Sequence, residues 1–343
     1  MKAVILHNGL EKVSGYESVE DILDTLETVK DISQALNATG FEVASFEVNE
    51  RNYKSVGEIG CDVVFNLVED QGWVLSHKVA RILEENRLPV VGADFKTLLL
   101  TDNKVRVKKL MVANDLPTPA FQVFRTGREK LSPALRFPMI VKPAREHAGL
   151  GISQDSVVSG ERDLRKRLEY VLNGFKGEAT AEEYIEGKEI HVSILGNEKL
   201  NVLPPTELVF EGEFNRAWKV YSYEAKWVKQ SWEYWSVPNK CPADLSREQQ
   251  EKITDICCRA YRVFGGRDYM RFDTRIDLQG KMYILDVNAN PSLKRDPLDA
   301  TFSSAVASGM SYEDLIEQVA LVAHGRISFQ GRDESPVSLF NTV

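Results

Sequence analysis

Four side chains able to hold a cation and a developing negative charge recur at alternate positions of two neighbouring segments. Arg271 and Asp273 lie in residues 269–276, and Asp286 and Asn288 lie at the end of residues 281–287 and just past it. Side chains alternate along a strand, so Arg271 and Asp273 share one face while Met270, Phe272 and Ile276 share the other. Asp277, Leu278, Gln279 and Gly280 make a hairpin-type turn between the segments. If the strands pair through it, two carboxylates, an amide and a guanidinium meet on one surface. Oxygen ligands of this kind suit Mg2+, which leaves positions for phosphate oxygens and water. Clustered carboxylates repel, and Asp and Asn disfavour strands, so structure alone is a weak reason for them. A plain Arg–Asp ion pair at a sheet edge is the competing reading.

Other residues could serve the same chemistry. Lys142 ends an apolar segment and precedes Pro143, which restrains its amine, although a single strand-end lysine is usually solvated. Residues 145–151 read Arg-Glu-His-Ala-Gly-Leu-Gly, and the φ freedom of Gly149 and Gly151 lets backbone N–H groups point at an anion. This is no GxxxxGK[ST] loop, and it lacks the third glycine of a dinucleotide fingerprint. Glu182 and Glu189 flank Tyr184, Ile185, Glu186 and Gly187, and alone they read as surface glutamates beside a turn. Lys226 sits in Tyr223-Glu224-Ala225-Lys226-Trp227, with Trp218, Tyr221, Trp232, Tyr234 and Trp235 close by. Such aromatics either close over a substrate and exclude water or pack on their own domain.

In their order and spacing these segments resemble ATP-grasp ligases, and within them the D-alanine–D-alanine ligase family, over about residues 104–311. The resemblance implies a mixed α/β and α+β ATP-grasp fold of three subdomains, with ATP between the central and C-terminal ones. It places Lys108 and Lys142 on the α and β phosphates and the loop carrying Gly149 and Gly151 over the γ-phosphate. The segment with Glu182, Tyr184 and Ile185 becomes the hinge that meets adenine, and Glu189 accepts from the ribose hydroxyls. Two Mg2+ ions, with Mn2+ as a substitute, fall to Asp273, Asp286 and Asn288. Lys226 meets the transferred phosphate, while Arg271 and the backbone N–H of Ser292 stabilise a tetrahedral oxyanion. The implied reaction is attack of a carboxylate on the γ-phosphorus to give an acyl phosphate, which an amine converts to an amide, ADP and phosphate.

Substrate positions depart from that family. Its N-terminal Gly-Gly-x-Ser-x-Glu segment is replaced by His7-Asn8-Gly9-Leu10-Glu11-Lys12, and its second-strand histidine aligns with Glu69. His147, Ala148 and Gly149 stand where the flap carries small polar residues, and the acceptor-carboxylate serine falls near Asp299. The expectation is therefore a carboxylate–amine ligase with altered substrates. Glu69 faces a cationic donor group, Trp227 covers the substrate, and Lys294 with Arg295 receives an acceptor carboxylate. An authentic D-alanine–D-alanine ligase and a non-catalytic ATP-binding regulator are the alternatives.

The elements that must hold these residues are legible in outline. Residues 1–100 alternate strand (3–7), helix (through Ile22, Leu26, Val29 and Leu36, stopped at Gly40), strand (41–46), strand (62–68), helix (74–85) and strand (89–91), a parallel α/β unit. Thr101-Asp102 offers an N-cap for a helix that ends before Pro117 and opens a central unit, 101–188. Residues 189–330 form the metal-bearing unit, where Ser246 and Gln249 make a capping box, and 331–343 are a polar tail.

Bulk properties bound the class. A chain of 343 residues, 43% hydrophobic, can bury several cores. A net charge of -8 without Lys/Arg runs argues against a nucleic-acid partner, and no segment reads as a membrane span or signal sequence, so a cytoplasmic protein with small-molecule partners is expected. A homodimer is left open. Four cysteines without CxxC spacing and five scattered histidines speak for free thiols and against zinc.

Overall fold

The structure, a computed structural model, describes residues 1–9, 19–70 and 73–330. Residues 10–12 of the divergent N-terminal segment and the expected polar tail lie outside the described residues.

Strand β1 (Lys2–Asn8) pairs in parallel with β2 (Glu42–Val48) and β3 (Val63–Leu67), in the order β2-β1-β3, and helix α1 (Val19–Ala38) makes the first crossover. Both faces of β1 are apolar and both are covered, as a parallel sheet requires. Ala3 and Ile5 pack with Ile32 and Leu36 of α1; Val4 and Leu6 pack with Leu75, Val79 and Leu83 of α2 (Val74–Glu85). Gly40 takes φ +87 where α1 ends. The strand expected at 89–91 is only a single bridge between Val90 and Val64.

A short helix not anticipated from sequence, α3 (Phe95–Thr101), is capped by Asp94, whose side chain accepts from the Thr97 N–H. This corrects the next N-cap. Thr101 and Asp102 belong to the end of α3, so α4 (Lys104–Ala113) is capped by Asn103, whose Oδ1 accepts from Val105 N at 2.9 Å and Arg106 N at 3.2 Å.

The second sheet runs β4-β7-β5-β6 and comprises β4 (Phe121–Phe124), β5 (Met139–Pro143), β6 (Val157–Val158) and, after helix α5 (Glu161–Gly174), β7 (Ala179–Glu183). Leu164, Leu168 and Val171 of α5 pack on Met139, Val141 and Ala181. Alternation then turns Lys142 and Glu182 to the opposite face.

The third sheet is built on β8 (Gly187–Leu195), with β9 (Asn201–Val202) and β10 (Thr206–Leu208) beside it. Two short helices follow, α6 (Tyr223–Trp227) and α7 (Trp232–Trp235), then β11 (Asn239–Lys240) and α8 (Arg247–Val263), which begins at the expected Ser246/Gln249 capping box. Ile253, Ile256, Cys257 and Ala260 of α8 cover Ile190 and Val192 of β8 and Met270 and Phe272 of β12 (Tyr269–Asp277). The antiparallel hairpin from β12 to β13 (Met282–Asn288) completes the sheet, and its face opposite α8 carries Glu189, His191, Arg271 and Asp273. Helix α9 (Ala300–Ala307) follows, and α10 (Tyr312–Gln330) returns to the first sheet, where Leu315, Ile316, Val319 and Ala323 join the core of α1, β1 and β3. Among the described residues no helix is long and apolar enough to cross a membrane, and all four cysteines are free.

Candidate active site

The hairpin register places Asp273 opposite Asp286 and Arg271 opposite Asn288, so all four side chains project from one face. A register shift between Asp273 and Thr274 inserts one extra residue in β13 directly after this quartet. Arg271 grips Asp273 with Nε to Oδ1 at 2.8 Å and Nη2 to Oδ2 at 3.3 Å. Burial opposes ionisation of Asp273, but Arg271, His191 and Lys226 outweigh it and hold the carboxyl well below the usual carboxylate range. Asp286 is lowered in the same way: burial works against it, and Lys104, 3.2 Å from Oδ2, prevails.

Two carboxylates and an amide form an all-oxygen donor set that fits Mg2+. Among the described residues no three or more His, Cys, Asp and Glu side chains could hold a metal by themselves, so Asn288 and outside oxygens must contribute. The Asn288 Nδ2 is buried without a hydrogen-bond partner among the described residues, as expected where an adjoining group completes the site.

The lysines differ from expectation. Lys108 is 1% exposed, and its ammonium sits 2.9 Å from Glu182 Oε2 while donating to Thr118 Oγ1 at 2.9 Å. Burial lowers its pKa, with Glu182 the main counterweight. Lys142 reaches the same Glu182 oxygen at 3.2 Å. Glu182 therefore neutralises two lysines from within the fold. Lys104, one helical turn before Lys108, is the α4 lysine that contacts the hairpin carboxylate Asp286, and it also donates to the Glu146 carbonyl at 2.8 Å. The resemblance points to Lys108 rather than Lys104, and the two share one side of α4; the Asn103 cap puts Lys104 in the first turn.

The expected adenine hinge is tied inward. The Ile185 carbonyl accepts from Arg275 Nη1 at 2.6 Å, and the Tyr184 hydroxyl accepts from Lys219 N at 3.2 Å. Glu189 lies opposite Arg275, which binds it through Nη2 at 2.8 Å. Burial opposes its ionisation, and Arg275 with His191 brings its pKa down to about 2. His191, also unanticipated, lies between Glu189 (3.5 Å) and Asp273 (3.6 Å).

The glycine loop lies against the aromatic segment. Gly149 takes φ +81 and Gly151 φ +72, and a Cβ on Gly149 would stand 3.1 Å from the Tyr223 backbone N. Trp227 Nε1 donates to the Ala148 carbonyl at 2.8 Å. Lys226, in the same turn of α6, lies over the Tyr221 ring, and burial lowers its pKa. Within the aromatic cluster Trp227 reaches the loop, while Trp232 packs on Phe214 and Trp218 on Tyr184.

A cavity of about 1260 Å3 opens beside this surface; Lys226, Arg271, Asn288, Ser292, Glu69 and Asp299 line it. Asp299 caps α9 by accepting from the Phe302 N–H, and burial raises its pKa to about 6 against the pull of Arg271. Lys294 also lines the cavity, but its ammonium is already paired with Asp24 and with Glu27 at 3.2 Å. Arg295 turns to Glu313 at 3.0 Å and is not among the lining residues. Both charges of the pair expected to receive an acceptor carboxylate are thus already matched by acids of the protein.

Three sheets with facing lysines and acids across a cleft define an ATP-grasp ligase. A family profile described as "D-ala D-ala ligase C-terminus" matches residues 110–321, more than half of the chain, which belongs to the D-alanine–D-alanine ligase family of ADP-forming carbon–nitrogen ligases. A D-alanine–D-alanine ligase of Haemophilus influenzae is 30% identical over 296 residues, covering 84% of this chain and 93% of that protein. An uncharacterised protein of Sinorhizobium fredii is 34% identical over 265 residues, 77% of this chain and 75% of its own. Among solved structures, the D-alanine–D-alanine ligase of Bacillus anthracis complexed with ATP superposes with a TM-score of 0.74 at 19% identity, over 96% of this chain and 100% of that one. The VanG D-Ala:D-Ser ligase of Enterococcus faecalis gives 0.73 at 18%, over 94% and 99%.

Proposed function

We propose that this protein is an ATP- and Mg2+-dependent ligase that joins a small carboxylate, such as an amino acid, to an amine through an acyl phosphate, with substrates other than two D-alanines. The observation that carries the reading is the cross-strand quartet, Asp273 opposite Asp286 and Arg271 opposite Asn288, of which Arg271 and Asn288 line a cavity that Lys226 also lines. Asp273, Asp286 and Asn288 would hold two Mg2+ ions, which would supply charge neutralisation to the phosphates. Lys104 and Lys142 face the phosphates, with Lys108 and Glu182 beneath them as a buried counter-charge pair. Residues 101–188 and 189–330 act as the two halves that enclose the nucleotide, and the loop with Gly149 and Gly151 covers its phosphate end.

The chain's own side chains then divide the work. Lys226 offers positive charge to the transferred phosphoryl group. Arg271, held rigid by Asp273, and the Ser292 N–H meet the oxyanion that forms when the amine adds. Fixed donors of this type contribute about 3 to 4 kcal/mol each to a transition state. Trp227, bonded to the loop, excludes water that would hydrolyse an acyl phosphate.

Altered substrates are supported by Glu69, Ala148 and Asp299, in positions where the resemblance to D-alanine–D-alanine ligases leads one to expect other residues. Phosphate release measured with Mg2+-ATP over a grid of carboxylates and amines tests the reading. Release that requires one member of each class, and that Asp286→Asn removes, is expected. Release with D-alanine alone would return the protein to D-alanyl-D-alanine synthesis, and silence across the grid despite ATP binding would overturn the ligase reading in favour of a regulator.

A further inference from the structure

One arm of the cavity takes no part in the chemistry above. Trp73, Ser76, His77, Asp102 and His147 wall it. Asp102 is 3% exposed, yet neither of its carboxylate oxygens has a hydrogen-bond partner among the described residues. His77 Nε2 is 3.3 Å from Oδ2 and is itself without a hydrogen bond, as is the buried Ser76 Oγ. Arg106, at the surface, stands 3.8 Å from Oδ1, beyond hydrogen-bond reach, and Arg145 acts on the carboxylate from further off. Burial raises the Asp102 carboxyl and lowers the His77 imidazole, so the histidine is neutral near pH 7 and one ring nitrogen accepts. The arm thus holds a buried carboxylate that no hydrogen bond satisfies among the described residues, beside a neutral imidazole and a hydroxyl that can each donate or accept. Native proteins seldom leave so many buried polar atoms unpaired unless something from outside completes them.

The remaining walls are aromatic. Trp73 stacks on His77 with ring centroids 6.3 Å apart and meets His147 edge-on at 4.8 Å, and Phe95 lies edge-on to His77 at 6.0 Å. Trp73 is held at φ +63, a backbone conformation that costs a bulky residue energy, and its indole N–H donates to the Arg145 carbonyl at 3.2 Å. That hydrogen bond holds the ring against the wall of the arm. His147 connects the arm to the reaction centre, since Lys226 and Asp286 both act on it electrostatically. An unsatisfied carboxylate beside aromatic rings is an environment that binds an ammonium or guanidinium. Among the described residues no group of three acidic or sulfur or imidazole ligands gathers there for a metal.

We propose that this arm binds a cationic nitrogen of a substrate, the side-chain ammonium or guanidinium of an amino-acid-like carboxylate, on Asp102 and His77 under Trp73. The inference rests on the reading that the adjoining centre activates a carboxylate.

Calorimetric titration of the full-length protein, loaded with ADP and Mg2+, tests it with both enantiomers of lysine, ornithine and arginine against norleucine, norvaline and citrulline. The expected result is that one cationic probe binds about tenfold or more tightly than its neutral isostere, a margin of about 1.4 kcal/mol. Asp102→Asn, which keeps the shape, is expected to cut that preference below about twofold while leaving ADP affinity unchanged. Equal binding of charged and neutral probes, no binding of any cationic probe, or a preference that survives in Asp102→Asn would each overturn the proposal. If melting shows that Asp102→Asn does not fold, His77→Phe gives the same comparison, and a preference retained there overturns it. Cationic binding without phosphate release on any substrate pair would leave this site standing and remove the ligase reading; turnover of neutral substrates without cationic preference would do the reverse.

Discussion

Replacing Glu182 by Gln removes the carboxylate that Lys108 and Lys142 share, while keeping its volume. Lys108 lies wholly inside the protein, with its ammonium 2.9 Å from Glu182 Oε2 and its only other hydrogen bond, among the described residues, to Thr118. Lys142 can swing toward solvent; Lys108 cannot. Glu182→Gln therefore leaves a buried ammonium uncompensated, a change that costs about 3 to 5 kcal/mol. An unfolding entropy of about 2.1 cal/mol/K per residue gives roughly 0.7 kcal/mol/K for a chain of this length, so the melting temperature should fall by about 4 to 7 °C. Replacing both partners should be milder, because Lys108→Met removes the stranded charge and fills its space with apolar atoms. Thermal melts of the wild type, Glu182→Gln and Glu182→Gln/Lys108→Met check this directly. A single variant that melts with the wild type, or a double variant no more stable than the single one, would refute the internal role given to Lys108. Lys108→Met should also leave the KM for ATP within about twofold, since the structure gives that lysine a protein partner.

Lys104→Ala, in contrast, should raise the KM for Mg2+-ATP about tenfold or more, the value of one charge-assisted contact, in steady-state assays. Gly149→Ala would force a side chain into a left-handed position 3.1 Å from the Tyr223 backbone, so a local penalty of about 1 to 2 kcal/mol should appear as faster hydrogen exchange in residues 145–151. Glu189, held at about 2 by Arg275, has its folded-state pKa below the ordinary value of 4.5. The unfolded chain then binds more protons, so this contribution, up to about 3 kcal/mol, is present above pH 4.5 and is lost as pH falls toward 2. Acid titration of stability in Arg275→Met should lack that loss, because the variant has already forfeited the contribution.

Local patterns fixed much of this protein without tertiary information. Alternation in residues 269–276 and 281–287 put Arg271, Asp273, Asp286 and Asn288 on a common face, since strand periodicity depends only on neighbours in sequence. The Ser246/Gln249 capping box and the stop at Gly40 were legible for the same reason. Partner choice was not. Lys104 and Lys108 lie one turn apart on the same side of α4, so sequence could not say which ammonium meets Asp286 and which is buried on Glu182. Lys294-Arg295 read as an anion site, but α1 supplies Asp24, 270 residues away along the chain, and Glu27 to Lys294, and α10 supplies Glu313 to Arg295. The same holds for α10, whose apolar stripe could have covered any sheet and closes on the first, and for Asp102, which was read as a helix cap and lies in a cavity wall. A carboxylate's role depends on which charges surround it in space, and electrostatic energy varies with distance and burial, neither of which is encoded in residue spacing.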